Sequence, residues 1–172
     1  MIHGAILVSG DGRVTQRLLD SVFFREIEQL KIMGVVASAP QAQVLTRARN
    51  LHIPTFVVDK KLFPNATSYG TAVLNKLKDI DTDFVVADSA AAVPACVYKH
   101  FGNRLVNVKL SPVDRSMEIL VYLADSKGDV ARVLGEAVVA LEDGDTQESF
   151  ADRVYALAET LVLDAVESYC GE

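Results

Sequence analysis

The sequence alternates between short apolar runs with strand character and longer amphipathic segments, and this alternation constrains the fold more than any other feature. Gly4 to Ser9 is the first apolar run. The turn Gly10-Asp11-Gly12 follows it, and apolar residues then recur at helical spacing from about Val14 to Leu30. Because this strand and helix unit recurs along the chain, the pattern predicts a parallel sheet with helices on both faces.

The later units can be placed from their apolar runs and their glycine and proline boundaries. Further strands are predicted at Ile32 to Ser38, Thr55 to Val58, Asp83 to Ala87 and Leu105 to Lys109. Helices are predicted from about Gln41 to Asn50, from about Thr67 to Lys78 and from Pro94 to His100. The strand Leu105 to Lys109 is expected to stop before Pro112, since proline lacks the N–H that a sheet needs.

The pattern changes in the last third of the chain. Two strand-like runs, Met117 to Ala124 and Val130 to Leu141, flank the turn-rich pentapeptide Asp125 to Asp129 and predict an antiparallel hairpin. Asp145 or Thr146 can cap a long helix from about Gln147 to Tyr169, whose apolar stripe is Phe150, Val154, Leu157, Leu161 and Ala165. The predicted fold is therefore α/β, a doubly wound, Rossmann-like and mainly parallel mixed sheet with a C-terminal hairpin and a long helix.

Composition and charge argue against several classes of function. The 172 residues are half apolar, which suits one domain spanning 1–172. A net charge of −6 argues against binding to nucleic acid, which needs a basic stripe. The apolar runs are too short or too interrupted to span a bilayer and no charged leader precedes them, so a soluble cytoplasmic protein is expected. The spacing of the cysteines and histidines, Cys96, Cys170, His3, His52 and His100, predicts no metal site and no disulfide.

One candidate binding site is the segment Gly10, Asp11, Gly12 and Arg13, which joins the first strand to the first helix. Glycines let the backbone approach an anion, and the free N–H groups at a helix start favour negative charge. Arg13 adds a cation, whereas Asp11 would repel a phosphate and the third glycine of a dinucleotide motif is missing. A site for a small anion and a plain tight turn both remain open here, and NAD binding is not expected.

The second candidate lies where the fifth strand ends. Asn107, Lys109 and Ser111 interrupt its apolar pattern, and ligands of open α/β sheets bind at the carboxyl ends of the strands. An asparagine can stabilise an oxyanion, and a carboxylate such as Asp129 can take up a proton, so this pair suits acyl transfer or hydrolysis. A strand end followed by a solvated turn is the alternative.

Several motifs occur in an order and at a spacing that are together specific. They are Ile6-Leu7-Val8-Ser9-Gly10-Asp11-Gly12, Ser38 with Leu45-Thr46-Arg47-Ala48-Arg49, Asp83-Phe84-Val85-Val86, Gly102-Asn103-Arg104-Leu105-Val106-Asn107 and Gly144-Asp145-Thr146. Over nearly its whole length the chain resembles the phosphoribosylglycinamide formyltransferase family. The resemblance implies a doubly wound sheet, formyl-tetrahydrofolate as the formyl donor and a primary amine as the acceptor.

The resemblance also implies site residues. The catalytic asparagine, histidine and aspartate of the family correspond to Asn107, Lys109 and Asp129, so a lysine stands where the family has its acid/base histidine. A lysine beside Asp129 would stay protonated and could only donate hydrogen bonds or neutralise charge. Arg13 and Val14 replace the asparagine and serine that follow the family's glycine loop.

Further departures concern the loops. Only 21 residues separate Asn107 from Asp129, fewer than in the family, and the folate-pocket segment Asp88 to Pro94 is shortened. Val130 and Ala131 stand where the family has glycines after its aspartate. Two classes stay open: a transferase with an altered active site, or a non-catalytic relative that binds a small anionic ligand or a protein partner. Homo-oligomerisation is left open as well.

Overall fold

The fold is built on one seven-stranded sheet with the strand order β3-β2-β1-β4-β5-β6-β7. It is seen in a computed structural model that describes residues 1–89 and 91–172. The strands are β1 (Ile2–Val8), β2 (Leu30–Ala37), β3 (Thr55–Val57), β4 (Phe84–Ala87), β5 (Leu105–Val113), β6 (Ser116–Ala124) and β7 (Val130–Ala140). The first five strands are parallel, whereas β5, β6 and β7 pair antiparallel. The predicted mixed sheet and the predicted β6–β7 hairpin are confirmed.

Helices cover both faces of the sheet. They are α1 (Gln16–Phe23), α2 (Gln43–Asn50), α3 (Ala66–Asp79), α4 (Ala95–Phe101) and α5 (Gln147–Cys170). Leu19 of α1, Leu45 of α2 and Val162 of α5 are buried in one core, whereas Val73 of α3 and Val97 of α4 are buried in the other. The doubly wound arrangement is therefore confirmed, with α1, α2 and α5 on one face and α3 and α4 on the opposite face.

Helix α1 and strand β5 differ most in length from their predicted bounds. Helix α1 ends at Phe23 rather than near Leu30, because the chain enters the left-handed region at Arg25, where φ is 59°. Strand β5 continues past Lys109 to Val113. Pro112 is tolerated there because β4 ends at Ala87, opposite Asn107, and leaves that side of β5 without a partner strand.

The long C-terminal helix begins with a capping box. The Thr146 side chain accepts from the Ser149 backbone N–H, and the Ser149 hydroxyl accepts from the Thr146 backbone N–H. Thr146 is thus the N-cap, one of the two residues predicted. The buried stripe of the helix is formed by Val154, Ala158, Val162, Leu163, Ala165, Val166 and Cys170. Phe150, Leu157 and Leu161 lie at its margin and are only partly buried, so the predicted stripe was displaced by part of a turn.

Candidate functional site

Asn107 lies in the middle of the sheet at the level where the neighbouring strand ends. Leu7 of β1 pairs with Ala87 of β4, and Ala87 pairs with Asn107 of β5. The half-buried side chain of Asn107 faces α4, where its Nδ2 donates to the Oη atom of Tyr98 at 2.6 Å. Asn107 is thus at the carboxyl end of the parallel sheet, as predicted, and its amide is already engaged.

Tyr122 of β6 is the second aromatic partner of this amide. It pairs with Asn107 in the sheet register, is 9% exposed, and interacts with Asn107 through its phenol. Burial raises the pKa of Tyr98 and of Tyr122 above the ordinary value of 10.0, and the hydrogen bond with Asn107 opposes the rise in both. Both phenols are therefore protonated at neutral pH and can serve as hydrogen-bond donors.

Lys109 lies two residues beyond Asn107 on the same strand, so its side chain is on the same face of the sheet. Its side chain is exposed. Among the residues that the structure describes, no carboxylate lies within ion-pair distance of Lys109. The expected pairing of Lys109 with Asp129 is therefore absent from this arrangement.

Asp129 lies in the turn between β6 and β7, beside the partners of Asn107. It closes the Asp125–Asp129 turn, where Asp125 N donates to Asp129 O at 2.9 Å. This turn follows Ala124, which pairs with Leu105 at the amino end of β5, because β6 runs antiparallel to β5. No ion pair joins Asp129 to Lys109 among the described residues, and a catalytic role for Asp129 stays a prediction. The exposed Asp129 carboxylate instead contributes to the raised pKa of Tyr122.

The Asp125–Asp129 turn packs against helix α4. A Cβ built on Gly128, whose φ is 87°, would lie 2.9 Å from the ring of Tyr98. A Cβ on Gly102 would lie 2.9 Å from the backbone of Ser126. Tyr98 therefore has its hydroxyl on Asn107 and its ring against Gly128, so it fills the space between the strand and the turn.

The predicted anion site at the first loop has a different environment from the one expected. Arg13 forms an ion pair with Asp152 of α5 at 2.5 Å, and its guanidinium lies 4.5 Å from the centroid of the Tyr155 ring. Gly12 has φ 67°, and a Cβ there would lie 2.6 Å from Val44 of α2. Local packing accounts for this glycine. Asp11 is exposed, and open space surrounds Gly10.

A buried carboxylate, that of Asp88, accepts hydrogen bonds from the end of the same loop. Asp88, 4% exposed, follows β4, and its Oδ2 accepts from the backbone N–H and the hydroxyl of Thr15, both at 3.1 Å. The Thr15 hydroxyl also lies 3.1 Å from Gly12 O. Asp88 thus ties the end of β4 to the start of α1. Within the segment Asp88 to Pro94, Ala90 lies outside the described residues.

Neither a metal centre nor a membrane span is seen within residues 1–89 and 91–172. No group of three or more histidine, cysteine, aspartate or glutamate side chains there is arranged to hold a metal ion. None of the helices in these ranges is both long and apolar enough to cross a bilayer. The chemistry of the site is therefore argued from the amide, phenol, ammonium and carboxylate groups described above.

Comparison with known proteins identifies the family. The family model described as formyl transferase matches residues 3–113, which include Asn107 and Lys109. The chain belongs to the formyl transferase family. The phosphoribosylglycinamide formyltransferase of Bacillus subtilis is 21% identical to it over 140 residues, covering 72% of either chain. The trifunctional purine biosynthetic protein adenosine-3 of Bos taurus is 26% identical over 168 residues, which are 87% of this chain but only 16% of the bovine protein.

Solved structures of formyl transferase family members have the same fold. Glycinamide ribonucleotide transformylase 1 from Symbiobacterium toebii superimposes with a TM-score of 0.88 at 21% identity, covering 99% of this chain and 88% of that one. The corresponding enzyme from Geobacillus kaustophilus gives a TM-score of 0.86 at 19% identity and covers 99% of both chains. This family member therefore keeps the family architecture although few of its residues match.

The groups that surround Asn107 could not be found from the sequence of this family member. Tyr98 was assigned to a short helix and Tyr122 to a hairpin strand, but neither was connected with Asn107 because the contacts depend on strand register. The apolar run of β6 includes Tyr122, but the run alone does not say which residue of β5 lies opposite it. Asp88 had a detectable signal, since a single carboxylate directly followed the apolar run Phe84 to Ala87.

Proposed function

We propose that this formyl transferase family member catalyses ordinary folate-dependent formylation of glycinamide ribonucleotide very weakly or not at all, and that it has a remodelled ligand site around Asn107. The proposal depends chiefly on one contact, the 2.6 Å hydrogen bond from Asn107 Nδ2 to Tyr98 Oη. That bond uses one of the two N–H groups of the amide, and the Tyr122 phenol also interacts with the Asn107 side chain, so fewer donors are left for an oxyanion on a substrate. The other arguments are independent of this contact.

The first independent argument concerns proton transfer. Attack of an amine on a formyl group requires a group that accepts and releases a proton near neutral pH. Lys109 stands where the family resemblance places a histidine, and no described carboxylate pairs with it. Loss of general acid–base catalysis lowers rates by roughly 10² to 10⁴, and loss of one oxyanion donor by roughly 10² to 10³.

The second argument concerns space. Tyr98 lies between Asn107 and Gly128, and Gly102 touches Ser126, so α4 and the Asp125–Asp129 turn are in direct contact. A bound substrate would have to separate these two elements or approach Asn107 from the side of Lys109. We therefore infer that any ligand of this site is smaller than a folate or enters on the exposed face of β5.

A transferase with a different substrate is the second candidate. The exposed Lys109 favours it, because an ammonium group next to Asn107 can polarise the carbonyl of a small acyl donor. In that case Asn107 and Lys109 would bind the carbonyl, and the released proton would pass to Asp129 or to water.

The test is a formyl transfer assay with 10-formyl-tetrahydrofolate and glycinamide ribonucleotide, with the Bacillus subtilis relative as the positive control. We expect turnover by the unmodified chain to be at least about 10⁴-fold below that of the relative, because both the base and the oxyanion donor are altered. The variants Lys109→His, Tyr98→Phe and the double variant are assayed beside it. Turnover by the unmodified chain within tenfold of the relative would refute the proposal.

A thermal shift screen separates the two candidates. Ligands that bind the folded state raise the melting temperature by mass action. Stabilisation by 10-formyl-tetrahydrofolate without turnover would indicate a binding protein that keeps the family's ligand. Turnover of small formyl or acetyl donors that is lost in Lys109→Gln would indicate the transferase with a different substrate.

A further inference from the structure

An open cavity of about 320 Å³ lies beside the carboxyl ends of β2 and β3, away from Asn107. Ser38 follows the last residue of β2, and Lys60 and Lys61 follow β3; these three side chains line the cavity together with Gln41 and Asp59. The carboxyl edge is where open α/β sheets bind ligands, because the loops that leave parallel strands all open on that side.

A buried tyrosine organises the wall of this cavity. Tyr69 of α3 is 8% exposed, and its phenol forms a hydrogen bond with Ser38. The Lys60 ammonium lies 5.8 Å from the centroid of the Tyr69 ring, and the Lys60 backbone N–H donates to Ser38 O at 3.1 Å. Tyr69 therefore fixes the positions of both a hydroxyl and a cation at the cavity, which a pair of mobile surface lysines would not achieve.

The charges at the cavity favour an anion. Among the residues that the structure describes, no carboxylate lies within ion-pair distance of the Lys60 or Lys61 ammonium groups. The Asp59 side chain accepts from the Lys61 backbone N–H at 3.1 Å and offsets one positive charge, which leaves the cavity with a net positive charge. Arg13, the cation of the predicted anion site, is by contrast paired with Asp152.

We propose that this cavity binds the phosphate group of a small phosphorylated molecule. Two ammonium groups and a serine hydroxyl supply several donors for a tetrahedral oxyanion, and the charged hydrogen bonds are the stronger kind. The chain as a whole carries a charge of −6, so an anion needs a local cluster of cations to bind at all. This site does not involve Asn107, Tyr98 or Tyr122, so the proposal holds whether or not those residues take part in catalysis.

The test is an NMR titration of the full chain with inorganic phosphate and with ribose 5-phosphate at low ionic strength. We expect saturable shifts of the backbone amides of Ser38, Gln41 and Lys61. We expect Lys60→Gln and Lys61→Gln each to weaken binding about tenfold, since a hydrogen bond to a charged group contributes roughly that much affinity. Lys99→Gln is the matched control, because it removes the same charge from an exposed position on α4.

The outcomes distinguish a specific phosphate site from nonspecific electrostatic attraction of anions. Equal weakening by Lys99→Gln, or shifts spread over other lysines, would overturn the proposal. Tyr69→Phe gives a second readout: it keeps the ring under Lys60 but loses the hydrogen bond with Ser38, so the Ser38 amide shift is expected to fall. Saturable binding that none of the cavity variants changes would also refute the site.

Discussion

The side-chain amide of Asn107 on β5 donates to the phenol oxygen of Tyr98 on α4 at 2.6 Å, and the Tyr98 ring packs against Gly128 in the turn between β6 and β7. One tyrosine therefore connects a central strand, a helix and a hairpin turn. Its phenol oxygen also accepts a hydrogen bond from the amide that the family resemblance assigns to catalysis. The effect of this contact on stability and its effect on formyl transfer can be measured separately.

Tyr98→Phe should lower the free energy of unfolding by about 1 kcal/mol, because it removes one hydrogen bond of a partly buried amide and keeps the ring. Urea denaturation measures the change. Tyr155→Phe is the control, since the structure gives its ring a contact with Arg13 but its hydroxyl no described hydrogen bond. Equal losses in the two variants would show that the Asn107 contact does not contribute to stability.

Gly128→Ala should destabilise the protein more than Gly144→Ala. The two glycines have nearly the same left-handed backbone, with φ 87° and 88°, so each substitution costs roughly 1–2 kcal/mol in backbone strain. The added methyl group at Gly128 also meets the Tyr98 ring, whereas Gly144 has no atom within 4 Å of its Cβ position. The steric contact adds roughly 1–3 kcal/mol, so equal losses in urea denaturation would contradict the described packing.

Much of the fold could be predicted from the sequence because its signals are local. Hydrophobic periodicity located the strands and helices, and the pentapeptide Asp125 to Asp129 predicted the hairpin between β6 and β7. The errors came from tertiary effects that local pattern does not contain. Pro112 was expected to end a strand, but one edge of β5 has no partner at that point. Helix α1 ended earlier than predicted because Arg25 adopts a left-handed backbone conformation, which an arginine in the sequence does not indicate.

The candidate site was less predictable because it depends on register. Asn107 was located by its position at the end of an apolar run, and this position was correct. Asp129 was assigned to the site from the family resemblance, and its turn reaches Tyr98 and Tyr122, the two partners of Asn107, while its catalytic role stays a prediction. Tyr98 and Tyr122 reach Asn107 from two different elements, and no spacing in the sequence links them to it.

Thr82→Val should raise the free energy of unfolding by about 1 kcal/mol, whereas Thr15→Val should lower it by about 1–3 kcal/mol. Both threonines are buried. The Thr82 hydroxyl has no hydrogen-bond partner among the described residues, so its removal relieves an uncompensated desolvation cost. The Thr15 hydroxyl lies 3.1 Å from both Asp88 Oδ2 and Gly12 O and has one hydrogen to donate, so its removal leaves a buried acceptor short of a donor. Changes of the same sign in urea denaturation would contradict this assignment.

Asp145 should make the stability of the protein fall in acid. The Glu142 backbone N–H lowers the pKa of the Asp145 carboxyl below its ordinary value of 3.8, and hydrogen bonds from Ser149 and Arg153 add to this shift. A carboxyl with a lower pKa in the folded state stabilises the fold fully above the pKa of the unfolded state, and this contribution is lost as the pH falls through the folded value.

The measurement is the free energy of unfolding in urea from pH 7 down to about pH 3, for the unmodified chain and for Asp145→Asn. At pH 7 the variant should be less stable, since the neutral amide keeps the shape of the carboxylate but not its charge toward Arg153. The difference should begin to shrink near pH 4, where the Asp145 carboxyl of the unfolded chain takes up a proton, and should continue to shrink at lower pH. Asp143→Asn in the same loop is the control: its side chain is fully exposed and its nearest cation is Arg115 at 3.9 Å, so little change is expected at pH 7. A constant difference between the chain and Asp145→Asn over the whole pH range would show that the charge of Asp145 does not stabilise the start of α5.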